Sequence, residues 1–246
     1  MTNIITSLTN DKVKYLAKLY KDSSFRKKEG LYVVEGYNLV DEAIKTNMVS
    51  QIFISSSSNK KENYKEATLV TDEIISKITD TVTPEGIVAT VKFTENRLLS
   101  PNTLYLDHIQ DPGNLGTILR SAVAFGFNSV ILDSCVDLYN PKTIRSSLGA
   151  IYKLSFPKYS VYELKGLGYE IITTTMVGEN PSSYKKESKK ICLVLGNEGN
   201  GVRHQINEIA DINLTIPMIN TESLNVGVAG SILMYLLQDN LKKEEV

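Results

Sequence analysis

The sequence predicts an α/β protein built from two domains. Short apolar runs typical of strands alternate with segments of helical spacing along the 246 residues. In the second half several strand runs are continuously apolar, as in a parallel sheet that is covered on both faces. The polar stretch 94–101 separates the two halves. We therefore predict a smaller domain over residues 1–97 and a larger one over residues 102–246.

The first half has the alternation of a small α/β domain. Apolar side chains at helical spacing predict a helix that is capped by Asn10 or Asp11, one carrying Leu39 to Ile44, and one capped by Asp72. Short β-rich runs predict strands at 31–34, 51–54, 68–71 and 87–91.

The second half alternates more regularly. Its predicted strands are 103–108, 129–132, 153–156, 170–174, 191–195 and 212–216, with helical patterns between most of them.

Composition excludes several classes of protein. No uninterrupted apolar run reaches the length of a membrane span, and the first residues lack the pattern of a secretory signal. Cys135 and Cys192 lie in or beside apolar runs, which favours buried free thiols over a disulfide or a metal site. We expect a cytoplasmic protein.

Positive charge is concentrated in one segment. The net charge of −1 argues against a nucleic-acid binder that uses its whole surface. Residues 11–29, however, hold an excess of basic over acidic side chains, with lysines at 12, 14, 18, 21, 27 and 28 and an arginine at 26. This excess is interpreted as a surface for RNA phosphates or as an ordinary solvated helix face.

Two loops follow predicted strands of the second half, where parallel sheets bind ligands. The first, from Asp111 to Thr117, opens a helix for which Asn114 is a natural N-cap; Arg120 lies off its apolar face and is either a site residue or a surface cation. The second, from Gly196 to Gly201, has the pattern Gly-x-x-Gly-x-Gly, which fits neither a dinucleotide fingerprint nor a P-loop. It is a glycine-rich ligand loop of another kind or a tight turn.

The third loop runs from Ile216 to Val226, and Thr221 or Ser223 is expected to cap the following helix. That helix, residues 224–238, is apolar nearly all round, which predicts burial on both sides. Its cover is either a second subunit or the core of a monomer.

Together these loops resemble the three motifs of the SpoU (TrmH-like) branch of the SPOUT methyltransferases. The matching residues are Asn114-Leu115-Gly116-Thr117 through Arg120, Gly196-Asn197-Glu198-Gly199-Asn200-Gly201, and Ile216-Pro217-Met218 with Ser223-Leu224-Asn225-Val226. The first half resembles the N-terminal substrate-binding domain of the family, which is similar to a ribosomal RNA-binding protein. That resemblance rests on Lys18-Leu19, Arg26, Val34-Glu35-Gly36, Glu42-Ala43 and Pro84-Glu85-Gly86-Ile87.

The resemblance implies a C-terminal domain with a deep trefoil knot, S-adenosylmethionine as the cofactor, no metal, and a homodimer that completes the site. It places cofactor contacts at Thr174, Gly196, Ile216 and Leu224, and catalytic or substrate roles at Asn114, Arg120, Glu198, Ser223 and Asn225. The family commonly has a glycine shortly after Ile-Pro-Met; here residues 219–222 lack it and are one residue shorter. Asn220 is expected to take over the turn, because asparagine tolerates a positive φ.

The reaction implied is methylation of a ribose 2′-hydroxyl, most simply in rRNA because the chain carries the N-terminal domain. Two alternatives remain open: a tRNA 2′-O-methyltransferase, and a catalytically silent RNA-binding or ribosome-assembly protein. We expect Arg120, together with an RNA phosphate, to orient and help deprotonate the hydroxyl. His108 and His204 lie outside the three loops and are expected to be structural or surface residues.

Overall fold

Helices and strands alternate along most of the chain, as the sequence pattern predicts. The computed structural model describes residues 4–95, 97–184, 188–221 and 223–238. The strands are β1 (Leu31–Glu35), β2 (Val49–Ser55), β3 (Thr68–Val70), β4 (Ile87–Lys92), β5 (Asn102–Asp107), β6 (Ser129–Asp133), β7 (Glu170–Glu179), β8 (Ile191–Leu195) and β9 (Ile212–Leu214). The α-helices are α1 (Asp11–Lys21), α2 (Ser23–Glu29), α3 (Tyr37–Lys45), α4 (Asp72–Ile78), α5 (Pro112–Ala124), α6 (Pro141–Ser147), α7 (Val161–Gly166), α8 (His204–Glu208) and α9 (Val226–Leu237).

The chain divides into two units, each with its own sheet. The first unit comprises Met1–Phe93 and Tyr139–Tyr152, and the second comprises Thr94–Leu138 and Lys153–Val246. The segment that contains α6 thus belongs to the first unit, although it lies within the range predicted for the second domain. The end of the first domain at residue 97 and the start of the second at residue 102 stay a prediction.

The sheet of the first unit is mixed and has the order β1-β4-β2-β3. Strand β4 pairs antiparallel with β1 and β2, and β2 pairs parallel with β3. Helices α1 and α4 bury apolar side chains in the same core as β2 and β4, among them Leu16, Phe53 and Ile75. The predicted cap of α4 is wrong: Thr71 is the N-cap, and the Asp72 carboxylate instead accepts hydrogen bonds from the Ser55 and Ser57 hydroxyls.

The residues that carry the N-terminal resemblance meet at the start of α3. Gly36 has a φ of 91°, and its N–H donates to the Ile87 carbonyl. The Glu85 carboxylate accepts from the Tyr37 N–H at 2.9 Å, which places a negative charge at the N-terminus of α3, where the helix dipole favours it. Segments about 50 residues apart in the sequence are thereby joined around one helix end.

Arg26 is a structural residue, contrary to its place in the predicted phosphate-binding excess. Its side chain is 3% exposed, and its guanidinium donates to the carbonyls of Leu19 and Tyr20 at 2.9 and 2.8 Å. These carbonyls lie in the last turn of α1, where a helix leaves its carbonyl groups unpaired. The short helix α2 that holds Arg26 was not predicted; Asp22 caps its start, and Gly30 ends it with a φ of 65°.

The sheet of the second unit is parallel throughout and has the order β6-β5-β8-β7-β9. Every residue of β5 and β8 is buried, as their continuous apolar runs predict. Because parallel strands all end at the same edge of a sheet, the loops after β5, β7, β8 and β9 are brought to one side. The trefoil knot that the resemblance implies stays a prediction.

One predicted strand of this unit is wrong. Residues 153–156 form only an isolated bridge between Ser155 and Ser129 rather than a strand. The Ser155 hydroxyl donates to the backbone carbonyl of Leu98, and Pro157, which has no N–H, follows two residues later. Pairing therefore stops after one residue.

Two further predictions concern membranes and thiols. Within the described ranges, none of the helices combines the length and the apolar character needed to span a bilayer. Cys192 is buried and Cys135 half-buried, both as free thiols, in agreement with the prediction.

Candidate active site

A cavity of about 410 Å³ opens between residues 174–176 of β7 and the loops that follow β8 and β9. It is lined by the four residues predicted to contact a cofactor, Thr174, Gly196, Ile216 and Leu224. Glu198 and Ser223 line it too. Its wall combines apolar side chains with a loop of exposed backbone, which is the usual composition of a small-molecule site of this size.

Gly196 is required by the close approach of the loop to itself. A Cβ at this position would lie 2.1 Å from the Gly201 carbonyl carbon. The N–H groups of Asn197 and Gly201 donate to each other's carbonyls at 3.0 and 2.9 Å, which closes the loop. The Asn197 side-chain oxygen accepts from the N–H groups of Gly199 and Asn200, so the turn is held from inside.

An ion-pair cluster anchors the end of this loop to the sheet. The Arg203 Nε lies 2.7 Å from Asp107 Oδ1, and the backbone N–H of Arg203 donates to Asp107 Oδ2 at 2.9 Å. Asp107 ends β5 with its side chain fully buried, and Arg203 also pairs with Asp133 at the end of β6. A buried carboxylate is stable only when it is paired and hydrogen-bonded, so Arg203 fixes the loop where β5 and β6 end.

The start of α5 corrects the predicted cap and explains why Asn114 is available. Asp111 is the N-cap, and its carboxylate accepts from the Asn114 N–H at 2.8 Å. Asn114 therefore lies inside the first turn, and its side-chain amide is not used to cap its own helix.

Three of the predicted catalytic residues form one hydrogen-bonded chain. The Asn225 amide donates to Asn114 Oδ1 at 2.8 Å, and the Asn114 amide donates to Glu198 Oε1 at 3.1 Å. Each residue comes from a different motif, so the three motifs meet here.

The Glu198 carboxylate is held in its ionised form. It accepts the backbone N–H groups of Gln110 and Asp111 at 3.3 and 3.2 Å as well as the Asn114 amide. Partial burial alone raises the pKa of the Glu198 carboxyl, but these hydrogen bonds outweigh it and hold the pKa below its ordinary value. Glu198 is thus a hydrogen-bond acceptor at neutral pH.

The cap of the last helix also differs from the prediction. Asn225, rather than Thr221 or Ser223, caps α9, because its side-chain oxygen accepts from the N–H groups of Gly227 and Val228. The oxygen of Asn225 thus fixes α9 while its amide nitrogen binds Asn114, and the helix begins against the site. Ser223 is left exposed at the rim of the cavity.

The structure does not bring Arg120 to this cluster. Arg120 is exposed on α5 and does not line the cavity. Among the described residues it has neither a hydrogen-bond acceptor nor a carboxylate partner. One copy of the protein therefore supplies the cavity and the hydrogen-bonded residues Asn225, Asn114 and Glu198. It does not bring the predicted arginine to them.

In the sequence, the shortened segment 219–222 separates two residues that line the cavity, Met218 and Ser223. Ile219 is almost fully exposed, and Asn220 does not adopt the expected positive φ. Glu222 lies outside the described residues.

The sequence motifs did not identify one residue of the cavity wall, nor the ion-pair cluster of Asp107, Asp133 and Arg203. Asn207 lines the cavity, although it belongs to none of the three motifs and has no spacing that singles it out. Asp107 and Asp133 could have been found, because each is an acidic residue that ends an apolar run at the functional edge of a parallel sheet.

Family models match both parts of the chain. Residues 101–235 match the SpoU rRNA Methylase family, and residues 10–89 match the MRM3-like substrate binding domain. The chain belongs to the SpoU rRNA methylase family.

Relatives match all or part of the chain. The Bacillus subtilis protein named 23S rRNA (guanosine(2553)-2'-O)-methyltransferase RlmP is 35% identical to this SpoU methylase, covering 95% of the chain and 98% of the relative. Human mitochondrial rRNA methyltransferase 3 is 34% identical over 55% of the chain and 37% of its own length.

Solved structures share the fold. A crystal structure named RNA 2'-O ribose methyltransferase has a TM-score of 0.81 at 26% identity and covers 95% of the chain and 97% of its own. An AdoMet-bound rRNA methyltransferase from *Sinorhizobium meliloti* has a TM-score of 0.83 at 23% identity, with 95% and 96% covered. The predictions of the family, the α/β fold and an RNA methyltransferase are confirmed.

Replacing Gly196 with alanine should weaken S-adenosylmethionine binding. The added methyl group overlaps the Gly201 backbone, so the loop must shift, and we expect the Kd from calorimetry to rise roughly 10-fold or more. Gly199→Ala is the matched control, since its Cβ would meet only the Asn197 side-chain oxygen at 3.6 Å. Equal Kd values for the two variants would show that the close approach at Gly196 does not shape the site.

Replacing Arg203 with glutamine should also raise the Kd for S-adenosylmethionine, by about 5- to 10-fold, because the loop loses its anchor to a buried carboxylate. Lys165→Gln is the control: it removes the Lys165–Asp211 ion pair of the same unit, and neither residue lines the cavity. The anchoring role is wrong if both variants bind the cofactor like the wild type.

Proposed function

We propose that this protein transfers the methyl group of S-adenosylmethionine to a ribose 2′-hydroxyl of 23S rRNA, and that it does so in the cytoplasm. One observation carries the proposal: the hydrogen-bonded chain Asn225–Asn114–Glu198 joins all three predicted motifs beside a cavity that Gly196 shapes. The rRNA target is supported by the name of the *Bacillus subtilis* relative and by the match of residues 10–89 to a substrate-binding domain.

The cavity fits S-adenosylmethionine. The close approach of the Gly201 backbone at Gly196 shapes the loop that lines the cavity, and Ile216 and Leu224 offer apolar surface beside it. We assign Thr174, Gly196, Ile216 and Leu224 to cofactor binding. The bound cofactor supplies a methyl group on a sulfonium, which is already a good electrophile. Within the described residues, no three His, Cys, Asp or Glu side chains form a group that could hold a metal ion.

The residues of the chain must then align the hydroxyl and remove its proton. A ribose 2′-hydroxyl is a poor nucleophile because its pKa lies far above neutral, so orientation and a proton acceptor both accelerate the reaction. Asn114, held between Asn225 and the ionised Glu198, presents a fixed amide. Ser223 lies at the rim and positions the substrate. Arg120 and an RNA phosphate orient the hydroxyl, and a phosphate oxygen accepts its proton, because a guanidinium has no acceptor.

The site is completed in a homodimer. Helix α9 buries Gly230, Leu233 and Met234 against its own chain. It exposes a second apolar face, on which Val228, Ile232, Tyr235 and Leu236 are 37% to 58% exposed. The predicted burial on both sides is thus realised on one side within a single chain, and a second copy would cover the other. The location of Arg120 outside its own cavity supports the same assembly.

Replacing Arg120 with alanine should lower kcat by at least about 100-fold while the Kd for S-adenosylmethionine stays unchanged, because proton removal is lost and the cavity is not altered. Transfer of a labelled methyl group to a 23S rRNA transcript measures kcat, and calorimetry measures the Kd. Lys153→Ala removes another exposed cation of the same unit and serves as the control. Full turnover by Arg120→Ala would eliminate the proposed role.

The target is tested by mapping ribose methylation in rRNA and tRNA from cells with and without the protein. We expect one 2′-O-methyl group of 23S rRNA to be lost. Loss from a tRNA instead would favour a tRNA enzyme, and no cofactor binding in calorimetry would favour a silent RNA-binding protein.

The double variant Val228→Glu/Ile232→Glu should be monomeric and should lose methyl transfer, because two carboxylates cannot be buried unpaired in an apolar interface. Light scattering after size exclusion measures the assembly. Tyr162→Glu, which replaces an exposed aromatic residue on α7, controls for an added surface charge. A dimeric double variant would show that this face of α9 is not the interface.

A further inference from the structure

Positive charge is distributed unevenly along the chain. Residues 11–29 contain seven basic and three acidic side chains, a net charge of +4 in a chain whose net charge is −1. The remainder of the protein is therefore acidic, and a polyanion is attracted to this segment and repelled by most of the rest.

The structure separates these basic residues by role. Arg26 is buried and occupied by backbone carbonyls. The lysines are exposed on α1 and α2, and we refer to them as the lysine surface: Lys12, Lys14, Lys18, Lys21, Lys27 and Lys28. Within it, Lys14, Lys18 and Lys21 follow one face of α1 at spacings of four and three residues, about 6 and 4.5 Å along the axis.

The acidic residues of the segment form ion pairs with few of its lysines. The Asp22 carboxylate caps α2, and the Glu29 carboxylate accepts a hydrogen bond from the Tyr15 hydroxyl at 2.9 Å. Asp11 lies 3.7 Å from Lys14 in a fully exposed ion pair, which contributes little. Apart from Lys14, none of the six lysines has a carboxylate partner among the described residues.

The row of lysines on α1 is in contact with α2. The Lys18 ammonium lies 4.5 Å from the centre of the Phe25 ring, which links the α1 row to α2. Phe25 in turn packs edge-on against Tyr15, with ring centres 5.3 Å apart. No large apolar side chain of α1 or α2 is exposed, so this surface lacks the apolar anchor that a protein interface or a membrane-binding helix needs.

We propose that the lysine surface is where the phosphodiester backbone of the RNA substrate docks. The inference rests on the proposed function, since it assumes an RNA substrate, and it assigns the contact to particular residues. Lysine contacts to phosphates carry no base specificity, so this surface supplies affinity and placement, and the identity of the methylated nucleotide is read elsewhere.

The test compares two triple variants that change the net charge equally. Lys14→Gln/Lys18→Gln/Lys21→Gln neutralises the α1 row, and glutamine keeps the helix propensity of lysine. Lys45→Gln/Lys65→Gln/Lys77→Gln removes three exposed lysines dispersed over the same unit. Thermal unfolding and the Kd for S-adenosylmethionine verify that both variants are folded.

The probe is an unmodified 23S rRNA transcript, with filter binding over a series of KCl concentrations and methyl-transfer kinetics. For the α1 triple variant we expect the Kd and the KM for RNA to rise roughly 10-fold or more, with kcat at saturating RNA unchanged. The slope of log K against log salt should fall by about 2 to 3, because three phosphate contacts are lost. The dispersed variant should stay within about 2-fold of the wild type.

Two results would overturn the inference: equal weakening of both variants, which would point to net charge alone, or wild-type RNA affinity and salt slope in the α1 variant. A wild-type protein that binds the transcript but does not methylate it would refute the proposed function instead. The comparison of the two variants in binding would still decide the inference in that case.

Discussion

The hydrogen bond between the Asn114 amide and the Glu198 carboxylate is the contact on which the site depends. It joins loops 84 residues apart in the chain, and the same carboxylate holds the backbone N–H groups that lead into α5. Because Glu198 remains ionised, each of these is a charge-assisted hydrogen bond, which is stronger than one between neutral groups. Asn225 extends the connection to α9. One acidic side chain thus fixes the start of two helices relative to the glycine loop.

The glycine loop itself is held at both ends by different forces. At its start, the backbone approaches so closely that only Gly196 fits. At its end, Arg203 satisfies the fully buried Asp107. The lysines of helices α1 and α2 differ from these paired charges. They are exposed and, apart from Lys14, have no carboxylate partner in the part of the chain that the structure describes. Paired buried charges hold a structure together, whereas unpaired exposed ones are available to a ligand.

Residue type alone predicts the wrong N-cap residue for several helices. Asn114, Asp72 and Ser223 are all good N-caps by type, yet the N-cap positions are those of Asp111, Thr71 and Asn225. The side chains of Asp111 and Asn225 cap their helices, whereas that of Thr71 makes no cap hydrogen bond. In each case a suitable side chain lies within three residues of the predicted one, and local preference does not distinguish between them. Contacts from distant segments decide the matter, because Glu198 engages Asn114 and the serines of β2 engage Asp72.

The sequence by itself determined the family, the alternating α/β order and the loops that form the site, because apolar periodicity and motif spacing are local properties of the chain. The resemblance also predicted that Thr174, Gly196, Ile216 and Leu224 contact one cofactor, and these four do line one cavity. Only the tertiary structure decided which basic residues of 11–29 are exposed to a ligand, because the buried Arg26 guanidinium donates its hydrogen bonds to carbonyls of another helix. It alone showed that α9 buries one face and exposes another, and that Asp107 and Arg203 pair across 96 residues of sequence. These outcomes depend on which segments pack together, and the spacing of residues along one segment does not contain that information.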